Sequence, residues 1–340
     1  MKPIIVPLDG SELAEQALHL ATAIAPKLDA DIVLTTAITA GDRWSDDGAV
    51  HEWEADEQAA VERYLRTIAE KLLAKGLRAR THVVFGHPHS VIVGVAGEEA
   101  AGLIVMTTHG RSGVSRLTIG SVADKVLRTS DTPLILIHST RTAPVALKRI
   151  VVALDGSPMA EVALPEAERL ASSMGASLVL VQAVVPTALV YGGEGLSGAL
   201  PVLSDLEADA RDYLEGLAAP IRDRGLEVTV TAAVGIPAQF VLDTARGYGA
   251  GLIAMTTHGR SGLDRWMFGS VADTIVRRGD IPLLVVRPPV QTEQERERIP
   301  VVGAAVVPPP AMTESQVPLT TPRTRREETR PHRPERSPGR

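Results

Sequence analysis

The sequence carries the same pattern twice, and this internal repeat limits the fold more than any other feature. "MTTHGRSGVSRLTIGS" begins at Met106, and "MTTHGRSGLDRWMFGS" begins at Met255. The opening "KPIIVPLDGSELAEQAL" recurs as "RIVVALDGSPMAEVAL" from Arg149, and "DTPLILI" recurs as "DIPLLVV", in the same order. Because a duplicated unit explains this shared order, we predict two tandem domains, at residues 1–142 and 146–288.

Each copy alternates short Val/Ile/Leu runs with segments of helical period. Strands that are apolar on both faces and separated by helices are typical of a parallel sheet covered on both sides. The predicted fold class is therefore α/β, with two tandem doubly wound, Rossmann-like parallel-sheet domains. In the first copy we predict strands at 3–8, 31–38, 78–85, 102–107 and 133–138, and helices at 12–26, 53–75, 88–100 and 121–129.

Composition excludes several classes of function and sets the remaining segment apart. The chain has no cysteine, a net charge of -6 and only 3% aromatic residues, which argues against disulfides, thiolate metal sites and nucleic-acid binding. We expect no membrane span and a cytoplasmic location, because charges interrupt the first apolar run too early for a secretory signal. Residues 289–340 are rich in proline and mixed charge, so we predict a disordered tail.

The most distinctive loops follow the first and fourth predicted strands. In an open α/β sheet, ligands bind beyond the carboxyl ends of the strands, where the winding direction reverses. "PLDGS" follows the first strand and "TTHGRSG" follows the fourth. If these two strands are neighbours, Asp9 and Gly110 line one crevice.

The long loop has the chemistry of an anion site. Glycines allow backbone N–H groups to approach a ligand closely, and the helix that begins at "GSVAD" offers unpaired N–H groups and a favourable dipole to a phosphate. An arginine adds positive charge. The candidate phosphate-binding residues are Gly110, Arg111, Gly113, Gly120 and Ser121 in the first copy, and Gly259, Arg260, Gly262, Gly269 and Ser270 in the second.

Several of these residues have an alternative structural interpretation. Ser121 and Ser270 begin the sequence "SVAD", which also fits a capping box with Asp at its third helical position. We expect a Gly120→Val change to clash with a bound phosphate while leaving the unliganded fold mostly intact. Asp9 and Asp155 are either turn residues that help to cap the first helix or contacts to ribose, base or Mg²⁺.

The motifs of common nucleotide-dependent enzymes are absent from the sequence. There is no Walker A motif, no G-x-G-x-x-G after the first strand and no nucleophile elbow. His109 and His258 lack a second His or Cys at ligand spacing, so a metal site is not expected there; we interpret them as surface residues or as residues behind the binding groups. Enzymatic turnover is therefore the weaker hypothesis.

The quoted motifs "PLDGS", "TTHGRSG", "GSVAD" and "TPLILI" resemble the universal stress protein (UspA) family in both copies. The resemblance implies an adenine nucleotide alpha hydrolase-like fold that binds ATP, or another adenine nucleotide, with Mg²⁺. The signature of the ATP-binding members is G-x-x-G, nine residues, then G-[ST], and here threonine replaces its first glycine in both copies. The residues implied near the nucleotide are Pro7, Asp9, Ala37 and Thr107, with Asp155, Ala183 and Thr256 in the second copy.

The resemblance also implies dimerisation through the last strand of each domain. Pro133–Ile137 and Pro282–Val286 are apolar edge strands, so we expect them to pair within the chain as a pseudo-dimer, with further homo-oligomerisation left open. The implied function is stress-response regulation with little or no hydrolysis. The alternatives are an interaction module with vestigial pockets and an unidentified protein partner, or a slow ATPase.

Overall fold

The computed structural model describes residues 2–39, 52–109, 119–138, 147–185, 200–257 and 269–288. The strands of the first repeat are β1 (Ile4–Pro7), β2 (Ile32–Ile38), β3 (Ala79–Phe85), β4 (Leu103–Thr107) and β5 (Leu134–Ile137). Its helices are α1 (Glu12–Ile24), α2 (Glu52–Ala74), α3 (Pro88–Glu98) and α4 (Ser121–Thr129).

The second repeat follows the same order with one additional helix. Its strands are β6 (Arg149–Leu154), β7 (Ser177–Val184), β8 (Val228–Val234), β9 (Leu252–Thr256) and β10 (Leu283–Val286). Its helices are α5 (Pro158–Glu161), α6 (Leu164–Met174), α7 (Leu200–Asp223), α8 (Pro237–Gly247) and α9 (Ser270–Arg278). Every element predicted for the first repeat is present, with each end within two residues of its predicted position.

The strands of both repeats form one ten-stranded sheet in the order β3-β2-β1-β4-β5-β10-β9-β6-β7-β8. Within each repeat the strands are parallel, and the first strand lies beside the fourth. The winding therefore reverses between β1 and β4, and again between β6 and β9. The condition set in the sequence analysis, that the first and fourth strands are neighbours, is therefore met.

The two repeats join through an antiparallel pair in the middle of this sheet. β5 and β10 are hydrogen-bonded, with Ile135 opposite Leu284, and both side chains are fully buried. The predicted intrachain pairing of the last strands is thus confirmed. Each apolar edge covers the other, which removes two aggregation-prone edges from the surface.

Helices cover both faces of the sheet, as predicted for the α/β class. One apolar layer packs α1, α2, α6 and α7 against alternate strand residues such as Ile4 and Val6. The opposite layer packs α3, α4, α8 and α9 against residues such as Ile5 and Val33. Each layer contains residues from both repeats, and residues 1–290 form one compact unit.

The repeats differ most visibly after their first strands. The first repeat has the single helix α1, whereas the second has the short α5 followed by α6. Pro165 lies in the first turn of α6. Because proline has no backbone N–H and its ring clashes with the preceding turn, the helix cannot continue through this position.

Two expectations concern membrane insertion and the tail. Within the described part of the chain, no helix combines the length and the apolar composition needed to cross a membrane. The predicted disordered tail, residues 289–340, lies outside the described residues.

Candidate functional site

A tight turn after β1 positions the first candidate residue. Gly10 has a φ of 83°, which favours glycine, and it lets the chain reverse towards α1. The Oδ1 atom of Asp9 accepts hydrogen bonds from the backbone N–H of Ser11 (3.0 Å) and from its hydroxyl (2.6 Å). The Ser11 Oγ in turn accepts from the backbone N–H of Ala14 at 3.2 Å and caps α1. Asp9 is therefore a turn residue, as one of its two interpretations predicted.

The second repeat reproduces this turn closely. Asp155 Oδ1 accepts from the backbone N–H of Ser157 (2.9 Å) and from its hydroxyl (2.6 Å), and Ser157 caps α5. Gly156 has a φ of 81°. This role does not exclude a ligand, because Asp9 and Asp155 also line the cavities described below.

The helix α4 begins differently from the capping-box interpretation. Gly120 is the N-cap, no side chain of the described residues caps the helix, and Ser121 is an exposed first helical residue. The Gly120 N–H donates to the carbonyl of Thr108 at 2.8 Å. The capping box at Ser121 is thus wrong, and so is its copy at Ser270, because Gly269 is the N-cap of α9 and no side chain caps that helix either.

The acidic residue of each "SVAD" sequence has a different partner. Asp124 accepts two hydrogen bonds of 2.9 Å from Arg128, and Asp273 accepts one of 2.8 Å from Arg277. The hydrogen bond that Arg128 donates to Asp124 raises the pKa of the Arg128 guanidinium. The negative charge in the first turn of each helix is therefore balanced one turn further along.

Gly120 and Gly269 are required by the backbone itself. A Cβ atom on Gly120 would lie 2.8 Å from the carbonyl oxygen of Thr108, and one on Gly269 would lie 3.1 Å from that of Thr257. The expectation that Gly120→Val leaves the unliganded fold intact is therefore wrong. A backbone carbonyl held in a strand-to-loop connection cannot move aside as the end of a flexible side chain can.

A cavity opens at each point where the winding reverses. The first has a volume of about 340 Å³ and the second about 300 Å³. Residues from the ends of the first, second and fourth strands and from the helix N-terminus line both. The predicted residues that line the first are Pro7, Asp9, Ala37, Thr107, Gly120 and Ser121; those that line the second are Asp155, Ala183, Thr256, Gly269 and Ser270.

The structure describes only part of the glycine-rich stretch between β4 and α4, and only part of the matching stretch between β9 and α9. The predicted phosphate-binding residues that lie outside the described part of the chain are Gly110, Arg111, Gly113, Gly259, Arg260 and Gly262.

Thr107 and His109 form part of the wall of the first cavity. The Thr107 hydroxyl donates to the backbone carbonyl of His109 at 2.7 Å, so its hydrogen bond stabilises the start of the loop. His109 is only 8% exposed, which contradicts its interpretation as a surface residue. Within the described residues its Nε2 atom is buried without a hydrogen-bond partner, and Nδ1 lies 3.1 Å from the Thr108 hydroxyl.

The cavity also contains residues that the sequence analysis missed. Thr35 and Thr36 of β2 and Glu57 of α2 line it, together with Pro88 and Ile92 of α3. The signal for the two threonines was present, because adjacent polar residues interrupt an otherwise apolar strand. Glu57 carried no such signal, since a glutamate on a helix is ordinarily a solvent-exposed residue.

The acidic groups near the cavities do not make a protein-only metal cage. Within the ranges that the structure describes, no three His, Asp or Glu side chains converge as a metal-binding group. Mg²⁺ that binds together with the phosphates of a ligand typically has few protein ligands.

The fold and its cavities first define a class of protein. A doubly wound sheet with a cavity at each reversal point and a helix N-terminus at its edge is typical of α/β proteins that bind anionic ligands such as nucleotides. The family follows from comparison. A model of the universal stress protein family matches residues 1–138 and 146–287, so the chain belongs to that family.

Individual relatives agree with this assignment. A universal stress protein of Mycobacterium tuberculosis is 27% identical over 248 residues, covering 69% of this chain and 78% of the relative. One from Mycolicibacterium smegmatis is 24% identical over 302 residues, covering 84% and 97%. The crystal structure of a universal stress protein from Archaeoglobus fulgidus has the same fold, with a TM-score of 0.63, 22% identity and coverage of 84% and 98%.

Proposed function

We propose that this universal stress protein binds ATP, or another adenine nucleotide, with Mg²⁺ in each of its two cavities. The observation that carries the proposal is the uncapped N-terminus of α4 and of α9 at the cavity edge. By contrast, Ser11 and Ser157 cap the helices that follow the first strands. The starts of α3, α6 and α8 also lack a side-chain cap, but among the described residues only α4 and α9 place three consecutive first-turn residues on the wall of a cavity.

The open helix starts suit phosphate groups. The first three N–H groups of a helix have no intrahelical partner, and in α4 these belong to Ser121, Val122 and Ala123, which line the first cavity. In α9 the corresponding residues, 270–272, line the second. Both the unpaired donors and the helix dipole favour an anion at this position.

The rest of the first cavity suits a nucleoside. Pro7, Ala37, Ile92 and Met106 provide apolar surface in this cavity. A volume of about 340 Å³ falls in the range of small-molecule sites, which are mostly apolar with few polar groups. Mg²⁺ would enter with the phosphates, and Asp9 or Asp155 would be the nearest carboxylate at the end of the first strand.

We further propose that the bound nucleotide regulates the protein and is hydrolysed little or not at all. Membership of the universal stress protein family supports a role in stress response. Regulation requires only that the bound and free chains differ in conformation or in affinity for a protein partner.

A slow ATPase is the second candidate, and one contact favours it. The hydroxyl of Thr108 lies 3.1 Å from Nδ1 of His109, and both residues line the first cavity. Imidazole is the commonest general base in enzymes. Phosphate release that is lost in a His109→Gln variant, while ATP binding remains, would favour this candidate over a purely regulatory site.

Titration calorimetry with Mg-ATP on the full chain tests the proposal. Ala37 and Ala183 occupy matched positions at the ends of β2 and β7 and line the two cavities. Replacing either one with tryptophan fills one cavity. We expect two equivalents of ATP on the unchanged chain, one on Ala37→Trp or Ala183→Trp, and none on the double variant.

Leu73→Trp is the matched control, because Leu73 is a 53% exposed residue on α2 and lines neither cavity. This variant should bind two equivalents. An unchanged chain that shows neither heat nor a thermal shift with Mg-ATP contradicts nucleotide binding and favours the interaction module.

A further inference from the structure

We propose that Thr35 recognises the base end of a nucleotide in the first cavity, so that the two cavities differ in base selectivity. This inference rests on the proposed function, because the nucleotide is the ligand in question. It concerns one hydroxyl group, its position in the sheet and the residue that replaces it in the second repeat.

The hydroxyl of Thr35 is buried, and no described residue pairs with it. Thr35 is 1% exposed, its Oγ1 has no hydrogen-bond partner within the described residues, and the residue as a whole lines the first cavity. The adjacent Thr36 is different, because its hydroxyl donates to the carbonyl of Leu8 at 2.8 Å. Buried hydroxyls in native proteins are nearly always hydrogen-bonded, so an unpaired one on a cavity wall indicates a partner that binds there.

The sheet places Thr35 at the end of the cavity remote from the phosphates. The order β2-β1-β4 separates β2 from the strand that leads to the α4 N-terminus by two strand spacings, or about 10 Å. Thr35 lies opposite Pro7 in the register, and Ala37 is on the same face two residues later. A nucleotide whose phosphates lie at α4 therefore brings its base towards Thr35.

The second repeat has a valine at the equivalent position. Val181 takes the position of Thr35, since it lies opposite Ala153 as Thr35 lies opposite Pro7. Val181 is fully buried and does not line the second cavity. Among the described residues, β7 and the residue after it contribute only Ala183 and Val185 to that cavity, and both are apolar.

A hydroxyl can both donate and accept a hydrogen bond. It therefore suits the edge of a purine, where amino groups, carbonyl oxygens and ring nitrogens alternate. The first cavity should distinguish ATP from a ligand that has the phosphates but no base. The second cavity should rely on its phosphate contacts and on apolar contact with the base.

Thr35→Val and Thr35→Ser test the inference on an Ala183→Trp background, where only the first cavity is open. Val has the shape of Thr without the hydroxyl, and Ser keeps the hydroxyl. Calorimetry compares Mg-ATP with inorganic tripolyphosphate as the base-free probe. We expect Thr35→Val to weaken ATP binding roughly tenfold and Thr35→Ser to retain most of the parent's affinity. Tripolyphosphate should bind the parent and both variants alike.

The ligand-free proteins provide a readout that a structural role would change. Thr35→Val removes an unpaired buried hydroxyl, so its unfolding temperature should equal or exceed that of the parent. A lower unfolding temperature, unchanged ATP affinity in Thr35→Val, or equal weakening of ATP and tripolyphosphate each overturns the inference. If the parent itself binds no ATP while the tripolyphosphate control also fails, the proposed function has failed, and the inference with it.

Discussion

The two cavities of this chain agree at the helix start and differ along the second strand. The turns at Asp9 and Asp155 match to within 0.1 Å in their hydrogen bonds, and both α4 and α9 begin at an uncapped glycine. On the second strand, Thr35 lines the first cavity, whereas Val181 at the matching position is buried and does not line the second. Shared backbone geometry at one end and different side chains at the other support the proposal of a common anion site with different specificity for the rest of the ligand.

The difference extends to the helix that covers each second strand. Tyr64 donates to Glu15 and Tyr213 donates to Glu161, both at 2.9 Å, so α2 and α7 are held in corresponding positions. In that correspondence Glu57 aligns with Leu206, which is 37% exposed. The first cavity is thus the more polar of the two on this side as well.

The largest expected effect concerns the strand pair that makes the two repeats one unit. Ile135→Asp and Leu284→Asp each place an unpaired charge in the buried β5–β10 pair, so each should lower the free energy of unfolding by more than about 4 kcal/mol. Urea denaturation measures this. Ile135→Val is the control and should cost about 1 kcal/mol. A loss below 1 kcal/mol for either aspartate variant would show that the repeats do not depend on this pair.

The next effect distinguishes the two helix starts. Gly120→Ala should lower the free energy of unfolding by about 2 kcal/mol and Gly269→Ala by about 1 kcal/mol, because the added Cβ lies closer to a backbone carbonyl in the first repeat. Denaturation of both variants provides the comparison. Gly216→Ala, in α7 with nothing within 4 Å of the added atom, should instead be neutral or stabilising. The reverse order of the two effects would mean that the helix starts are not strained as described.

A smaller effect should be equal in the two repeats. Ser11→Ala and Ser157→Ala each remove an N-cap and should each cost about 1 kcal/mol. Ser121→Ala is the control: it should change stability by less than about 0.5 kcal/mol, because Ser121 caps nothing. A cost for Ser121→Ala as large as for Ser11→Ala would restore the capping box as an explanation of "SVAD".

The smallest effect is a pH dependence specific to the first repeat. Partial burial, followed by the charges of Lys125 and His87, lowers the pKa of His89 below its usual 6.5, whereas Ala238 follows the corresponding proline in α8. As the pH falls, the imidazole of His89 is therefore protonated in the unfolded chain before it is protonated in the folded chain. The contribution of neutral His89 to the free energy of unfolding is complete above pH 6.5 and is lost as the pH falls through the pKa of His89 in the folded chain.

A His89→Ala variant should consequently lose less stability than the parent between pH 7 and pH 5. Unfolding temperatures measured across this range provide the test. An identical slope for both proteins would show that His89 does not titrate differently in the folded chain.

Local pattern was sufficient to predict the strands and helices, because a buried parallel strand and an amphipathic helix have distinct apolar periods. The β1–β4 neighbourhood was only a condition at the level of sequence, and the strand order of the sheet shows that it is met. Local pattern failed to predict the start of the helix at Ser121. The sequence "SVAD" fits a cap equally well one residue earlier or later, and only the bond from Gly120 to Thr108 selects the position.

By itself, the sequence determined the duplication, the α/β class and the glycine-rich loops at two strand ends. These follow from composition, period and repetition, which act over a few neighbouring residues, whereas the pairing of the two apolar edge strands was an implication of the family resemblance. Only the tertiary structure decided that the buried hydroxyl of Thr35, a residue of the cavity wall, has no partner among the described residues, while Thr36 is bonded to Leu8. Whether a buried polar atom has a partner depends on groups that lie far apart in the chain and meet only when the sheet and its covering helices are assembled.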